Sequence, residues 1–208
     1  MVMDWQDRGL AKLSPEDTGK VLAEVNPHFA PLPMGEKTTS VSRRDLPFYD
    51  NLALYAFTDF STMPPVTKYA LYRPGLVIAI DWTNDTIYEA NESAPLKLDP
   101  ANMADYARFF FSFVRGEQGR IRLIESLDDV PFMETPKPAE IKALATFIHP
   151  LRPEPYGGSG AFRLHAVFLF QSDLFSATIE IDPDGTIGMA DEKLLIEGMP
   201  AQADILLR

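Results

Sequence analysis

The sequence predicts an α+β fold: a long helix packed on a curved antiparallel β-meander, with a smaller antiparallel meander and a short helix before it. Three observations carry that reading. In the last third, Phe162–Phe170 and residues 174–181 are apolar at alternate positions and meet at Ser172-Asp173, the pattern of a half-buried hairpin. After Asp99-Pro100, the residues Tyr106, Phe109, Phe110, Phe113 and Val114 recur at i, i+3, i+4, i+7 and i+8, one stripe of a helix. In the first half, short aliphatic and aromatic runs are separated by Pro74-Gly75 and Asn84-Asp85, which is turn chemistry.

In chain order, Ser14-Pro15-Glu16-Asp17 supplies a capping hydroxyl, a proline at the first helical position and acids in the first turn. A helix over Pro15–Val25 follows, stopped by Asn26-Pro27. Residues 28–50 hold prolines, polar residues and Arg43-Arg44 without a sustained period, which predicts a long connection, a candidate lid or partner-binding segment. Residues 52–58 read as a strand, and Pro64-Pro65 breaks the chain before the strands at 69–73 and 76–82. Pro74-Gly75 joins those two as a type II turn, and a hairpin at Asn84-Asp85 leads into a strand over 86–90.

Gly116 stands where the long helix would end in a left-handed residue, and a strand starts at 121–124. Residues 138–151 fit two periods, because Ile141, Leu144, Ala145 and Ile148 also make a helical stripe. The strand reading is preferred, since His149-Pro150 and the glycine-rich loop at 156–160 lead straight into the hairpin. There the expected register pairs Phe170 with Phe175, Phe168 with Ala177, Ala166 with Ile179 and Leu164 with Ile181. It sets Arg163 against Asp182 and His165 against Glu180 on the other face. The turn Asp182-Pro183-Asp184-Gly185-Thr186 then pairs Ile181 with Ile187 and Ile179 with Met189.

The expected organisation is 1–50 as helix and connection, 51–98 as the small meander and 99–208 as helix plus larger meander, with 51–208 one compact unit. The element order over 99–196 resembles the cystatin-like or nuclear-transport-factor-like roll, in which a curved sheet wraps one helix. No family motif accompanies that resemblance, and rolls of this shape host enzymes, binding proteins and scaffolds alike.

Composition narrows the function classes. A net charge of −11 repels a polyanion, so no nucleic-acid partner is expected. The chain has no cysteine, which removes disulfides, thiol nucleophiles and thiolate metal sites. Its first residues lack the basic and apolar regions of an export signal, and its longest apolar run, 76–80, is far short of the roughly 20 residues that span a membrane. A soluble, cytoplasmic protein with no membrane partner is the expectation.

The stretch DYARFFFSFVRGEQGR, residues 105–120, invites a phosphate-loop reading, but its glycines follow a helix rather than precede one. Arg108 and Arg115, seven apart on one helix face with Arg120 and Arg122 beyond, are candidate anion ligands. Against that, Asp105 can pair with Arg108 and Arg115 complements the negative helix end. His165 with Glu180 is the candidate general base, with Arg163 beside it as a ligand contact, and the same residues read equally as cross-strand pairs on the wet side of a sheet.

DPDGTIGMADE misplaces the glycine of a calcium loop, and His28, His149 and His165 have no zinc spacing, so no metal or other cofactor is expected. Ser159 lacks the strand-to-helix context of a hydrolase nucleophile. The reading is a non-catalytic binding or protein-interaction domain, pairing with itself through the larger sheet or with another protein. The alternative is a small-molecule-binding protein or enzyme with a pocket between the long helix and the sheet, using His165, Glu180 and Arg163.

Overall fold

Helix α1 spans Pro15–Val25, and its start is built as the sequence requires. Ser14 Oγ accepts the Asp17 amide at 3.1 Å and donates to the Asp17 carboxylate at 2.7 Å, so one free N–H of the first turn is satisfied locally. Replacing Ser14 with alanine is expected to cost about 1 kcal/mol, read as a lower urea midpoint. These coordinates come from a computed structural model that describes residues 5–116, 118–154 and 160–201. It is an α+β structure with antiparallel sheets and four α-helices among the described residues, none long and apolar enough to cross a membrane.

The chain forms two compact units, residues 7–97 and residues 98–208 together with 1–6. In the first, five strands lie side by side in chain order: β1 (Ala11–Lys12), β2 (Thr39–Asp45), β3 (Ala53–Asp59), β4 (Val66–Arg73) and β5 (Leu76–Ala79), each antiparallel to the next. Val21, Leu22 and Val25 of α1 and Phe29 beyond it pack on Val41, Tyr55, Phe57 and Tyr72. Between β4 and β5 the turn closes on Gly75 at φ +80°, which the Pro-Gly pair predicts.

Two expectations fail in this unit. The stretch 28–50 is more than a connection, because β2 lies inside it, held between β1 and β3. Val41 is the one aliphatic core residue that β2 supplies, so no period betrays it. Residues 86–90 are not a strand but part of α2 (Asn84–Ser93). Asp81 accepts bonds from the Thr83 amide at 2.9 Å, from the Thr83 hydroxyl at 2.6 Å and from the Thr86 hydroxyl, which winds Asn84-Asp85 into a first helical turn rather than a hairpin. Burial pushes the Asp81 carboxyl up, but those hydrogen bonds outweigh it and hold it below the usual range.

In the second unit the sheet order is β10 (Ile187–Ile196), β9 (Asp173–Ile181), β8 (Phe162–Phe170) and β6 (Ile121–Leu123). The short β7 (Arg152–Glu154) pairs with the other end of β8. Helix α3 spans Met103–Phe113, three turns and not the long helix expected. Asp99 side-chain bonds to the amides of Ala101 and Asn102 form a turn that delays its start. Its end comes at Val114, in extended backbone. Gly116 therefore is not a left-handed cap; it exchanges backbone bonds with Gly119 at 3.0 and 3.1 Å in a tight turn.

Tyr106, Phe109 and Phe113 of α3 are fully buried, and Phe111 meets the ring of Phe168 at 5.0 Å. The Tyr106 hydroxyl donates to the Gly185 carbonyl at 2.7 Å, so the helix also grips the turn between β9 and β10. That turn is the one the sequence predicts, with Gly185 at φ +85° and Ile187 opposite Ile181. Residues 138–151 are not a strand. Pro138–Leu144 is helix α4, begun by Glu140 accepting the Lys137 amide at 2.8 Å, and the helical stripe wins because Leu144 and Ile148 pack on Val167, Leu169 and Leu174. This is a second core, on the face of β8 opposite α3.

The hairpin keeps the expected faces but shifts its register by two residues: Phe168 faces Phe175, Ala166 faces Ala177, Leu164 faces Ile179 and Phe162 faces Ile181. Alternation cannot detect a two-residue shift, because the period is two. The turn decides it. Its tip is Gln171-Ser172, with Gln171 at φ +54°, which allows a two-residue loop closed by Phe170 and Asp173.

Candidate functional site

The register shift rearranges the polar face of β8. Arg163 now faces Glu180 and His165 faces Thr178, so the expected pairs of Arg163 with Asp182 and His165 with Glu180 do not form. Glu180 stands on the same face one pair away from His165, engaged with Arg163 Nε at 3.2 Å. Arg163 Nη2 also reaches Asp191 Oδ2 at 3.1 Å.

Asp191 lies where β10 slips register against β9, and its φ of +53° is a conformation non-glycine residues seldom hold. The bulge turns this carboxylate toward Arg163. Ion pairs this exposed contribute roughly 0–1 kcal/mol each, so the trio orders the surface more than it stabilises it.

His165 finds a partner the sequence does not suggest. Its Nδ1 lies 3.1 Å from Nε2 of His149, with the rings 29° apart in plane and their centroids 5.0 Å apart. His149 in turn holds the Pro150 carbonyl with Nδ1 at 2.8 Å. With both rings neutral, these contacts set the tautomers: His149 donates from Nδ1 to the Pro150 carbonyl and accepts at Nε2 from His165 Nδ1–H. The outward Nε2 of neutral His165 then carries a lone pair.

Arg108 is used by the fold. Its Nε and Nη2 bind both oxygens of Glu125 at 2.7 and 2.9 Å, and its Nη1 binds Asp105 at 2.7 Å. Asp105 pairs with it as the sequence allows, while Glu125 was not foreseen. Arg115 lies past the end of α3 and so cannot share a helix face with Arg108. Arg120 is buried and Arg122 half-buried in the approach to β6 and within it. Ser159 and the 156–159 part of the glycine-rich loop lie outside the described residues.

Two apolar depressions lie among the described residues of this unit. The larger, of about 260 Å³, is lined by Phe132, Pro136, Leu144, Ile196 and Met199, with Glu140 as its one ionisable residue. The smaller, of about 190 Å³, lies on the α3 side of the sheet between Ile121, Phe170, Phe175 and Met189. Among the described residues no group of three or more metal-ligating side chains comes together.

The sequence reading missed His149 and Asp191. His149 carries no local signal, being sixteen residues from its partner, whereas the charged run Asp191-Glu192-Lys193 interrupting an alternating strand is the mark of a bulge. No protein-family model, curated protein or solved structure matches the chain.

Proposed function

We propose that the chain is a non-catalytic binding module whose larger cleft receives an apolar side chain of a partner protein. The cleft between α4 and the end of β10 carries this reading. Its wall is apolar apart from Glu140, and Met133 beside it is 66% exposed, more apolar surface than folding alone explains. With Glu140 at the cleft and a net charge of −11, the complementary occupant is a segment whose apolar anchor is flanked by lysine or arginine.

A second copy fits less well. The edge of β10 is bulged at Asp191-Glu192 and carries three consecutive charges, which makes it a poor template for pairing. We also read this unit as roll-like in the cystatin or nuclear-transport-factor sense, supported by α3 lying on the apolar face of β8.

Selection of random displayed peptides on the intact chain tests the cleft. Enriched peptides are expected to carry a large apolar residue next to basic ones. They should lose about ten-fold or more in affinity to Ala143→Arg, which sets a bulky cation at an exposed lining position against their basic flanks without disturbing the core. No enrichment, or peptides that bind the variant equally well, overturns the reading.

A further inference from the structure

We propose that His149 and His165 form a two-imidazole chelate for a late first-row divalent metal ion, with water completing the coordination. The two facing nitrogens are 3.1 Å apart. Two imidazoles bound to one tetrahedral zinc at about 2.0–2.1 Å have their nitrogens about 3.3 Å apart. The resting spacing is thus already close to that of a loaded site, and each ring must turn by roughly 35° for its lone pair to leave the N···N line and meet the ion.

His149 supplies an independent argument. Metal-bound histidines usually donate their other ring N–H to a carbonyl or carboxylate, which fixes the tautomer and aims the free lone pair. The bond from Nδ1 to the Pro150 carbonyl, at 2.8 Å, does this in advance and leaves Nε2 facing the site. His165 needs one change. Its proton moves from Nδ1 to the outward Nε2, so that Nδ1 can bind the ion; the neutral ring loses no proton overall, and a hydrogen bond is exchanged for a coordinate bond.

Imidazole donors suit nickel, copper and zinc rather than magnesium or calcium. Both rings are half-buried, so ion and water can reach them, and Arg152, the register partner of His165, is exposed. Arg163, two residues along the same face, is engaged by Glu180 and Asp191 and does not add an unbalanced cation. A bound ion would staple the chain after α4 to the central strand β8.

Titration of the intact chain with nickel, copper or zinc salts in a non-chelating buffer, followed by calorimetry and thermal unfolding, tests this. One equivalent is expected to bind saturably and to raise the unfolding midpoint. His149→Gln and His165→Gln should each weaken binding about ten-fold or more, while His28→Gln, in the other unit, should leave it unchanged. His149 lies outside the strands, so His149→Gln tests the site even if the His165 variant fails to fold. Absence of saturable binding, or equal affinity in His149→Gln, overturns the proposal.

Discussion

Phe168→Ala is expected to destabilise the second unit by about 3–5 kcal/mol, the cost of a buried phenylalanine plus the cavity it leaves. Phe168 is 1% exposed at the centre of β8, the one strand of its sheet that is paired with three others. Its ring contacts Phe111 of α3, and its register partners are Phe175 on β9 and Leu123 on β6. The flanking strands cannot move in without unpairing, so much of the cavity should persist.

The measurement can be made specific to this unit. Trp5 sits edge-on to Phe109 at 6.2 Å, whereas Trp82 belongs to the other unit, beside Tyr69. In a Trp82→Phe background the remaining tryptophan reports the unfolding of the second unit in urea. Leu194→Ala, at a position 47% exposed, is the matched control and should change stability by no more than about 0.5 kcal/mol. A loss below about 1 kcal/mol for Phe168→Ala would show that the sheet centre is not closely packed.

The parts of the fold that were legible are those whose signal is local. The cap at Ser14, the turn at Pro74-Gly75 and the turn from Asp182 to Thr186 each need only neighbouring side chains and the φ preference of proline or glycine. Apolar alternation assigned each residue of β8 and β9 to the correct face, but the same pattern is unchanged by a two-residue shift. The partner of His165 therefore could not be read from it.

Long-range placement defeated the rest. β2 is a strand because β1 and β3 flank it, with little in its own composition to say so. Residues 138–151 satisfied both periods, and the tie was broken by a second core, around Val167 and Leu169, on a face expected to be wet. Asn84-Asp85 is ambiguous until Asp81 is seen gathering the hydroxyls of Thr83 and Thr86. At the candidate site, Arg163 kept an acidic partner through the register change only because Glu180 replaced Asp182, and the bulge at Asp191 added a second.

Glu125→Ala should cost about 2–3 kcal/mol at neutral pH, below the range for a fully buried pair because both partners keep some solvent contact. The Glu125 and Arg108 side chains are 22% and 26% exposed. Besides both guanidinium bonds, Glu125 Oε1 accepts the Leu151 amide at 3.0 Å, so one carboxylate joins α3, the turn after β6 and the chain leading into β7. Alanine leaves the Leu151 N–H unmet and Arg108 with Asp105 alone.

The pH dependence separates this clamp from simple packing. Burial pushes the Glu125 carboxyl up, but the Arg108 hydrogen bonds, the Leu151 amide and the Arg108 charge outweigh it and hold it below the usual glutamate range. A depressed carboxyl contributes stability that is full above its unfolded pKa, about 4.3, and is lost as pH falls through the lower folded value. The gap between the native chain and Glu125→Gln, which keeps the shape without the charge, should therefore be widest near pH 7 and narrow toward pH 3. Urea midpoints of the two proteins across that range give the answer. A gap that stays constant or widens on acidification would mean that Glu125 acts through its shape alone, and Arg108 would then regain its standing as an anion ligand.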